Sequence, residues 1–347
     1  MNPKTFIAVL MLVCAASSAR PDAISDYAVG RKDANLKSTL AVHFRPVNRL
    51  DTEAQLFDAL LSVYTGDDGC MTDIFTNEKV IPYYDFYDEN NNVQLSRITD
   101  GSWMVFPEKY MLEAMHDLYN AAIVKFTAGA AKGVLPFGEV EEATRCEGEM
   151  VSGYAMMGRE PIECVEPAAG HKGDIARMIF YAVTLYPMDL WGGWGGVVCR
   201  NNPYPTLSEY FAAIYMRWHR EDPVDEKERA RNAAISKIQG NVNPFVEHTE
   251  LAEYLWGDKK GEVYGTGGGG DDNPGANPEV KVPLRGEYRM SDGYLDLYSP
   301  YVPDGVTWRI DGKECAGRVK LIDLGAGSHE ITYENREVKG KLKINIL

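Results

Sequence analysis

Histidine and carboxylate side chains that stand close together in the chain are the first candidates for chemistry. His116 is followed directly by Asp117, and His248 lies between Glu247 and Glu250. An imidazole can accept a proton near neutral pH, and carboxylate oxygens are ligands for hard cations such as Mg²⁺. Groups of this kind together could activate a water molecule for hydrolysis. No spacing of Cys and His residues typical of a zinc site is found in the sequence.

The overall charge bears on which substrate such groups could meet. The 347 residues carry a formal net charge of −15, with 45% hydrophobic and 25% charged residues. This composition is typical of a globular protein, and the length allows one large domain and one small one. The net charge opposes binding to a polyanion, although a local basic cleft could still bind phosphate. Lys172 and Arg177, on one predicted helix, are candidates for such contacts, although cations on a helix surface are more often solvated.

The first residues predict export from the cytoplasm. Lys4 precedes an apolar run, Phe6–Val13, and small residues follow before Arg20. We therefore expect a signal peptide at residues 1–19 and a secreted, periplasmic or cell-surface protein. The apolar run is too short to span a bilayer, and no later segment predicts a transmembrane helix. Lipidation at Cys14 is an alternative, but Val13 is bulkier than such sites usually tolerate.

Five cysteines remain after the predicted signal peptide, so at least one thiol has no intramolecular partner. Disulfides are permissible outside the cytoplasm. Cys146 and Cys164 flank one short segment and are the pair we expect if a disulfide forms. Structural or buried cysteines are the simpler interpretation.

The chain divides at a segment rich in Gly, Asp and Pro. We predict a first domain at residues 20–257, a flexible linker at 258–279 and a small β domain at 280–347. In the first domain, apolar periodicity and capping residues predict a helix starting at Asp51, strands and turns from Asp73 to Phe106, and helices at Asp174–Tyr186, Thr206–His219 and Asp222–Ile238. In the β domain, alternating apolar and polar residues predict strands at Tyr294–Tyr298, Val306–Ile310, Val319–Leu324, Glu330–Tyr333 and Lys341–Leu347.

Three segments in the same order resemble one known family. The longest runs from Trp218 to Trp256, and the others are Lys172–Arg177 with Phe180 and Tyr181, and Pro136–Val140. In the longest segment the matching residues are Trp218, His219, Asp222, Pro223, Val224, Arg231, Asn232, Gln239, Gly240, Asn241, Asn243, Pro244, Phe245, His248 and Glu250. These segments resemble the secreted endonuclease I family, in particular its longer Bacteroidetes-type members. Three short matches in the right order are specific where one alone is weak.

The resemblance implies a fold and a mechanism. The fold class it implies is α+β, an endonuclease I-like ββα-metal (His-Me finger) domain that is mostly helical, here followed by a small antiparallel β-sandwich. Members of the family cut DNA or RNA. A His accepts the proton of the attacking water, and a Mg²⁺ held by a neighbouring Glu and a later Asn stabilises charge on the phosphate and the leaving oxygen.

The residues that should carry this mechanism are replaced. Aligning Phe106-Pro107 with the family pattern puts Trp103 at the metal-binding Glu and Met104 at the base. An indole offers only an N–H donor, and a thioether is not basic. Counting back from Pro136 puts Gly129 at the metal-binding Asn, and an Arg of the family signature is Val242 here. We therefore expect a catalytically impaired nuclease with a binding role, and no cofactor.

Three alternatives remain open. An active, divergent Mg²⁺-dependent endonuclease could use His116 with Asp117, or with Asp100 and Glu108 acting from displaced positions. His219 or His248 could be a relocated base, although a His in a scaffold segment more often makes a local hydrogen bond. The β domain could instead carry the main role, as an attachment module.

The resemblance also suggests residues that could contact a substrate. These candidate substrate-binding residues are Arg177, Asn241, Asn243 and His248. The expected partner is nucleic acid, or otherwise a protein or surface partner.

Overall fold

A computed structural model describes residue 24 and residues 27–82, 92–99, 108–186, 195–200, 202–265, 287–290, 294–297, 307–315, 318–334 and 339–347. The helices up to residue 265 are α1 (Asp33–His43), α2 (Glu53–Tyr64), α3 (Glu108–Met115), α4 (Phe126–Lys132), α5 (Lys172–Leu185), α6 (Gly195–Val198), α7 (Glu209–Glu221), α8 (Glu226–Gln239), α9 (Pro244–Glu247) and α10 (Leu251–Leu255). The strands in the same part are β1 (Met71–Thr72), β2 (Lys79–Val80), β3 (Val93–Arg97), β4 (Ala121–Lys125), β5 (Glu142–Glu147), β6 (Met150–Met157) and β7 (Glu160–Glu166). The predicted mixture of helices and strands is confirmed.

Helix α5 forms the centre of the larger hydrophobic core. Every residue from Gly173 to Leu185 is buried, and the helix packs against α1, α7 and α9. Burying a large apolar side chain such as Ile179 or Phe180 stabilises the fold by about 1.5–3 kcal/mol. The predicted helix Asp174–Tyr186 is therefore confirmed within two residues at its start, and it lies deeper than an amphipathic surface helix.

Two paired strands, β3 and β4, and the helix α4 that packs on them hold the residues of one candidate site. Strands β3 and β4 pair antiparallel, with Leu95 opposite Ile123, and α4 follows β4 directly and packs on both strands. Strands β5, β6 and β7 form a separate antiparallel sheet in that order. The chain therefore contains a β–β–α arrangement whose helix carries Gly129.

Helix boundaries near Asp222 differ from the prediction. Asp222 ends α7, and Pro223 lies in the following loop, because the side chain of Asp225 caps α8 by accepting from the backbone N–H of Glu228. Helix α7 begins after Ser208 rather than at Thr206. Helix α2 has Thr52 as its N-cap, one residue after the predicted start, in a capping box.

The described residues after 287 form strands β8 (Glu287–Tyr288), β9 (Tyr294–Asp296), β10 (Thr307–Ile310), β11 (Lys313–Cys315), β12 (Arg318–Lys320), β13 (Gly327–Glu334) and β14 (Lys339–Ile346), with helix α11 (Leu321–Leu324). Five strands pair in the order β11-β10-β13-β14-β8, and β12 pairs with β9. The prediction of a purely antiparallel arrangement is wrong at one edge, because β14 and β8 run parallel. The predicted strand Val319–Leu324 is also wrong in its second half, which forms α11.

The start of the predicted linker is folded. The Tyr264 ring is buried, and its hydroxyl donates to Glu250 at 2.7 Å. The backbone of Tyr264 also exchanges two hydrogen bonds with Gly30 and Arg31. Tyr264 therefore packs against the larger core, while the predicted linker after residue 265 and the predicted signal peptide lie outside the described residues.

The expected pairing of Cys146 with Cys164 is wrong in this fold. Cys146 lies on β5 and Cys164 on β7, with β6 between them, and both thiols are free. Strands lie about 4.8 Å apart, and Cys146 and Cys164 pair with different residues of β6, so their Cα atoms are separated by more than about 9 Å. A disulfide needs Cα atoms closer than about 7 Å. In the part of the chain that the structure describes, no helix is long and apolar enough to cross a bilayer.

Candidate functional site

The face of the β–β–α unit brings Gly129 against Gln94. Gln94 lies on β3 opposite Val124, and its side-chain amide donates to the carbonyl of Phe126 at 3.3 Å. A Cβ added at Gly129 would lie only 2.8 Å from Gln94 Cδ and 2.9 Å from Gln94 Cγ. Real Cβ atoms essentially never come so close to a neighbour. The amide of Gln94 therefore fills the space that a side chain at position 129 would need.

Neither Gly129 nor Gln94 supplies the ligands that a magnesium ion needs. Gly129 offers no side-chain oxygen, and Gln94 offers one neutral amide where a divalent ion needs several oxygen ligands and a carboxylate. Among the residues that the structure describes, no group of three or more His, Cys, Asp or Glu side chains could hold a metal ion. Trp103 and Met104, the predicted replacements for the metal-binding Glu and the base, lie outside the described residues, as does Asp100.

Asp117 is a buried structural carboxylate. One of its oxygens accepts from the backbone N–H of Tyr119 and from Gln239 Nε2, both at 2.9 Å. The other accepts from the hydroxyl of Tyr181 at 2.7 Å and from that of Tyr186. Burial raises the pKa of Asp117, and the four donors oppose that rise. With both oxygens occupied, Asp117 does not offer a ligand to a metal beside His116.

His116 itself lines an open cleft. Its ring is half-buried and, within the described residues, makes no hydrogen bond or ion pair. Glu113, one turn earlier on α3, lies 2.8 Å from Arg49 Nη1 and 3.6 Å from Arg45 Nη1. Both carboxylates next to His116 are therefore held by other groups of the protein.

Arg177 lies in the core, not on a helix surface. Its Nε donates to Glu228 Oε1 at 2.7 Å, and its Nη2 lies 2.6 Å from Glu228 Oε2. Its Nη1 donates to the carbonyl of Asp222 at 2.9 Å. The side chain has no exposed surface, and a buried charge of this kind needs its partner. In this fold Arg177 therefore makes structural contacts inside the core, and its expected contact with substrate stays a prediction.

A family model described as Endonuclease I matches residues 34–250, which is more than half of the chain. The chain belongs to the endonuclease I family. The resemblance inferred from the three sequence segments is thereby confirmed at the level of the family. Two similar proteins are the extracellular ribonucleases of Bacillus subtilis (strain 168) and Bacillus amyloliquefaciens, each 36% identical, over 94 and 98 residues. Each match covers 26% of this chain and 32% of the relative, so the chain spans about a third of the length of these relatives.

Two asparagines of the endonuclease I signature make hydrogen bonds that link separate segments inside the core. Asn241 donates through Nδ2 to the carbonyl of Phe44 at 2.6 Å and to the Tyr181 hydroxyl at 2.8 Å. Asn243 caps α9 by accepting from the backbone N–H of Phe245 at 3.0 Å, and its Nδ2 donates to the carbonyl of Arg177 at 3.1 Å. Both side chains are buried. Both side chains therefore join elements of the core, and their expected contacts with substrate stay a prediction.

The two signature histidines differ in environment. His219 is buried, its Nε2–H donates to the carbonyl of Thr249 at 3.0 Å, and Arg177 Nη1 lies 3.4 Å from its Nδ1. Burial, together with the nearby Arg177, lowers the pKa of His219 to about 4, so it is a weak base at neutral pH. His248 is partly exposed, with Nδ1 3.9 Å from Glu250 Oε1. Of the four candidate substrate-binding residues, His248 alone keeps appreciable exposure.

Sequence reasoning missed four residues, one beside Gly129 and three in the cleft that His116 lines. Gln94 lies 35 positions before Gly129, and no local pattern links the two. Arg45, Arg49 and Glu113 come from segments more than 60 residues apart in the chain. The helix α1 that precedes Arg45 was also not predicted. The spacing of Arg45 and Arg49, four residues apart and just before Leu50, was the one available signal, and it is weak.

Proposed function

We propose that this protein is an exported member of the endonuclease I family that has lost metal-dependent phosphodiester hydrolysis and acts by binding. The fold that served hydrolysis of DNA or RNA is kept, while the groups that would hold a metal ion and activate water are replaced. Nucleic acid or a fragment of it is the partner that the family suggests, against a net charge of −15.

The relationship between Gly129 and Gln94 carries this proposal. The position expected to supply a metal-binding Asn has no side chain, and the neighbouring strand fills its space with an amide. An Asn restored at position 129 would meet the Gln94 side chain, which would have to move before an ion could bind. Trp103 and Met104, if they occupy the Glu and His positions as the sequence predicts, remove the remaining ligand and the base.

An active enzyme that uses His116 is the competing proposal. His116 is accessible in a cleft, which favours it, but Asp117 accepts four hydrogen bonds within the protein and Glu113 is ion-paired with Arg45 and Arg49. A base without a metal ion or a second charged group lacks the means to stabilise the developing charge on a phosphate. The observations therefore favour binding over hydrolysis.

Export is supported by the predicted signal peptide and by the two relatives, which are named extracellular ribonucleases. Those names suggest RNA as the first nucleic acid to test. The share of these relatives that the chain matches is small, so their activity is not carried over with the resemblance.

The proposal is tested by following retention and chain length in one experiment. Labelled RNA and DNA are incubated with the purified protein and Mg²⁺, then analysed on native and denaturing gels, with EDTA in a parallel series. We expect intact strands in every lane, whether or not they are retained. Shortened strands that disappear with EDTA would contradict the proposal, and their loss in a His116→Gln variant would support the competing enzyme.

A further inference from the structure

A second site, separate from the β–β–α unit, lies beside α3. A cleft of about 540 Å³ lies between the segment that follows α1 and the end of α3. Its lining includes Arg45, Arg49, Leu50, Leu112 and His116, and none of its lining residues belongs to β3, β4 or α4. Clefts of roughly 300–1,000 Å³ are of the size that takes small organic ligands.

Two guanidinium groups in this cleft share one carboxylate. Arg49 Nη1 lies 2.8 Å from Glu113 Oε1, and Arg45 Nη1 lies 3.6 Å from Glu113 Oε2. The Glu113 side chain is 8% exposed, whereas those of Arg45 and Arg49 are 19% and 45% exposed. The Glu113 carboxylate is therefore less exposed than the two guanidinium groups that flank it. An arginine has five N–H donors, so the Glu113 carboxylate cannot use all the donors of Arg49.

His116 adds a third donor on the same wall. Its imidazole faces the cleft and, within the described residues, has no hydrogen-bond partner. Three donors from separate side chains suit an oxyanion with several oxygens better than a planar carboxylate, which one guanidinium can bind alone. Leu50 and the half-exposed Leu112 supply an apolar surface in the same cleft.

Two further carboxylates line the cleft and must be weighed. Asp117 is buried, and its charge is offset by four donors. Asp51 is exposed to solvent, where its charge is screened. The groups that a ligand would touch directly are therefore mainly the cations and the imidazole. A dianion would compete well with Glu113 for both guanidinium groups, because its charge is larger.

We propose that this cleft binds a small organic phosphate monoester of about the size of a mononucleotide. Arg45, Arg49 and His116 contact the phosphate oxygens, and Leu50 and Leu112 contact the apolar body of the ligand. This assignment gives a ligand class to the binding role proposed above, and rests on it.

Calorimetry with AMP, adenosine and inorganic phosphate tests the site. The titrations use the full chain in EDTA, so that no metal ion takes part. We expect AMP to bind, inorganic phosphate to compete with it, and adenosine to bind at least tenfold more weakly, because a charge-assisted contact to phosphate is lost. Equal binding of AMP and adenosine, or no binding of AMP, would overturn the proposal.

Three variants separate a ligand contact from a structural role. Arg49→Gln should weaken AMP binding about tenfold, whereas Glu113→Gln should strengthen it, because the competing carboxylate is removed. Arg145→Gln is the matched control, since Arg145 also pairs with a glutamate, Glu147 at 3.3 Å, but lies on β5 outside the cleft. If Arg49→Gln binds AMP like the wild-type protein, or if Arg145→Gln weakens binding equally, the assignment is wrong.

The proposed loss of hydrolysis and the proposed phosphate-binding cleft can be refuted by separate results. AMP has no internucleotide bond and EDTA removes any metal ion, so an absence of AMP binding would leave the proposed loss of hydrolysis untouched. A protein that cleaves RNA would in turn leave the cleft measurement valid. Should Glu113→Gln not fold, Arg49→Lys, which keeps the charge but not the planar fork, should give an affinity between those of the wild-type protein and Arg49→Gln.

Discussion

Gln94 on β3 occupies the space beside Gly129 on α4, so a Cβ at position 129 would lie 2.8 Å from Gln94 Cδ. The two residues are complementary in size, a glycine facing a long amide. The position expected to supply a metal ligand therefore has no side chain, and the amide of Gln94 occupies its space.

The first prediction concerns this pair. Gly to Ala within a helix ordinarily stabilises by up to about 1 kcal/mol. Gly129→Ala should lose most of that gain, because the flexible end of Gln94 must move and give up its bond to Phe126. Gln94→Ala with Gly129→Ala should recover that loss. Urea denaturation of the four proteins in the cycle measures the coupling, and additive effects would show that the two side chains do not compete for space.

The second prediction concerns the buried carboxylate. Asp117→Asn should destabilise the protein by about 2–4 kcal/mol, because the new NH₂ group cannot accept from Tyr181 and Tyr186. Tyr181→Phe and Tyr186→Phe, which each remove one donor, should cost about 1 kcal/mol apiece. Denaturation at neutral pH measures all three. A loss below 1 kcal/mol for Asp117→Asn would mean that the carboxyl group is held neutral in the folded protein.

The third prediction separates the two interpretations of Arg177. Arg177→Gln should lower the free energy of unfolding by about 3–5 kcal/mol, because Glu228 would be left buried without its partner. Adding Glu228→Gln should restore part of the loss. If Arg177 were a phosphate contact instead, the single variant would keep its stability and lose affinity for RNA, which a gel-shift series over salt concentration would reveal.

The fourth prediction is a pH dependence that originates at His219. Its pKa is about 4 in the folded protein, below its usual 6.5, so the unfolded chain binds a proton more readily. Stability from this group is fully present above pH 6.5 and is lost as pH falls from 6.5 to 4, by on the order of 3 kcal/mol. Measured between pH 7 and pH 4, the loss of stability should be smaller in His219→Gln. Parallel pH curves for the two proteins would exclude His219 as the source.

The fold was predictable where the signal is local. The predicted helix Asp174–Tyr186 corresponds to α5, and the family could be inferred from three ordered segments. The start of α8 was misplaced because Asp222-Pro223 has the same residue types as a helix start. The actual cap, Asp225, comes three residues later.

The sites were less predictable because they depend on distant contacts. Arg177 was placed on a helix surface because its partner, Glu228, lies 51 positions away and nothing local indicates it. The same holds for Gln94 with Gly129, and for Glu113 between two arginines. Sequence reasoning predicted Gly129 at the position of a metal-binding Asn, but the contact with Gln94 could be found only from the packing of α4 on β3.

The most direct test of the central claim is the rate of RNA hydrolysis with and without Mg²⁺, measured on a fluorogenic RNA beside the extracellular ribonuclease of Bacillus subtilis as a positive control. We predict no increase in rate above the protein-free reaction on adding Mg²⁺, under conditions in which the control enzyme is active. A rate that rises with protein and Mg²⁺ together, and that returns to the background with EDTA, would contradict the loss of hydrolysis.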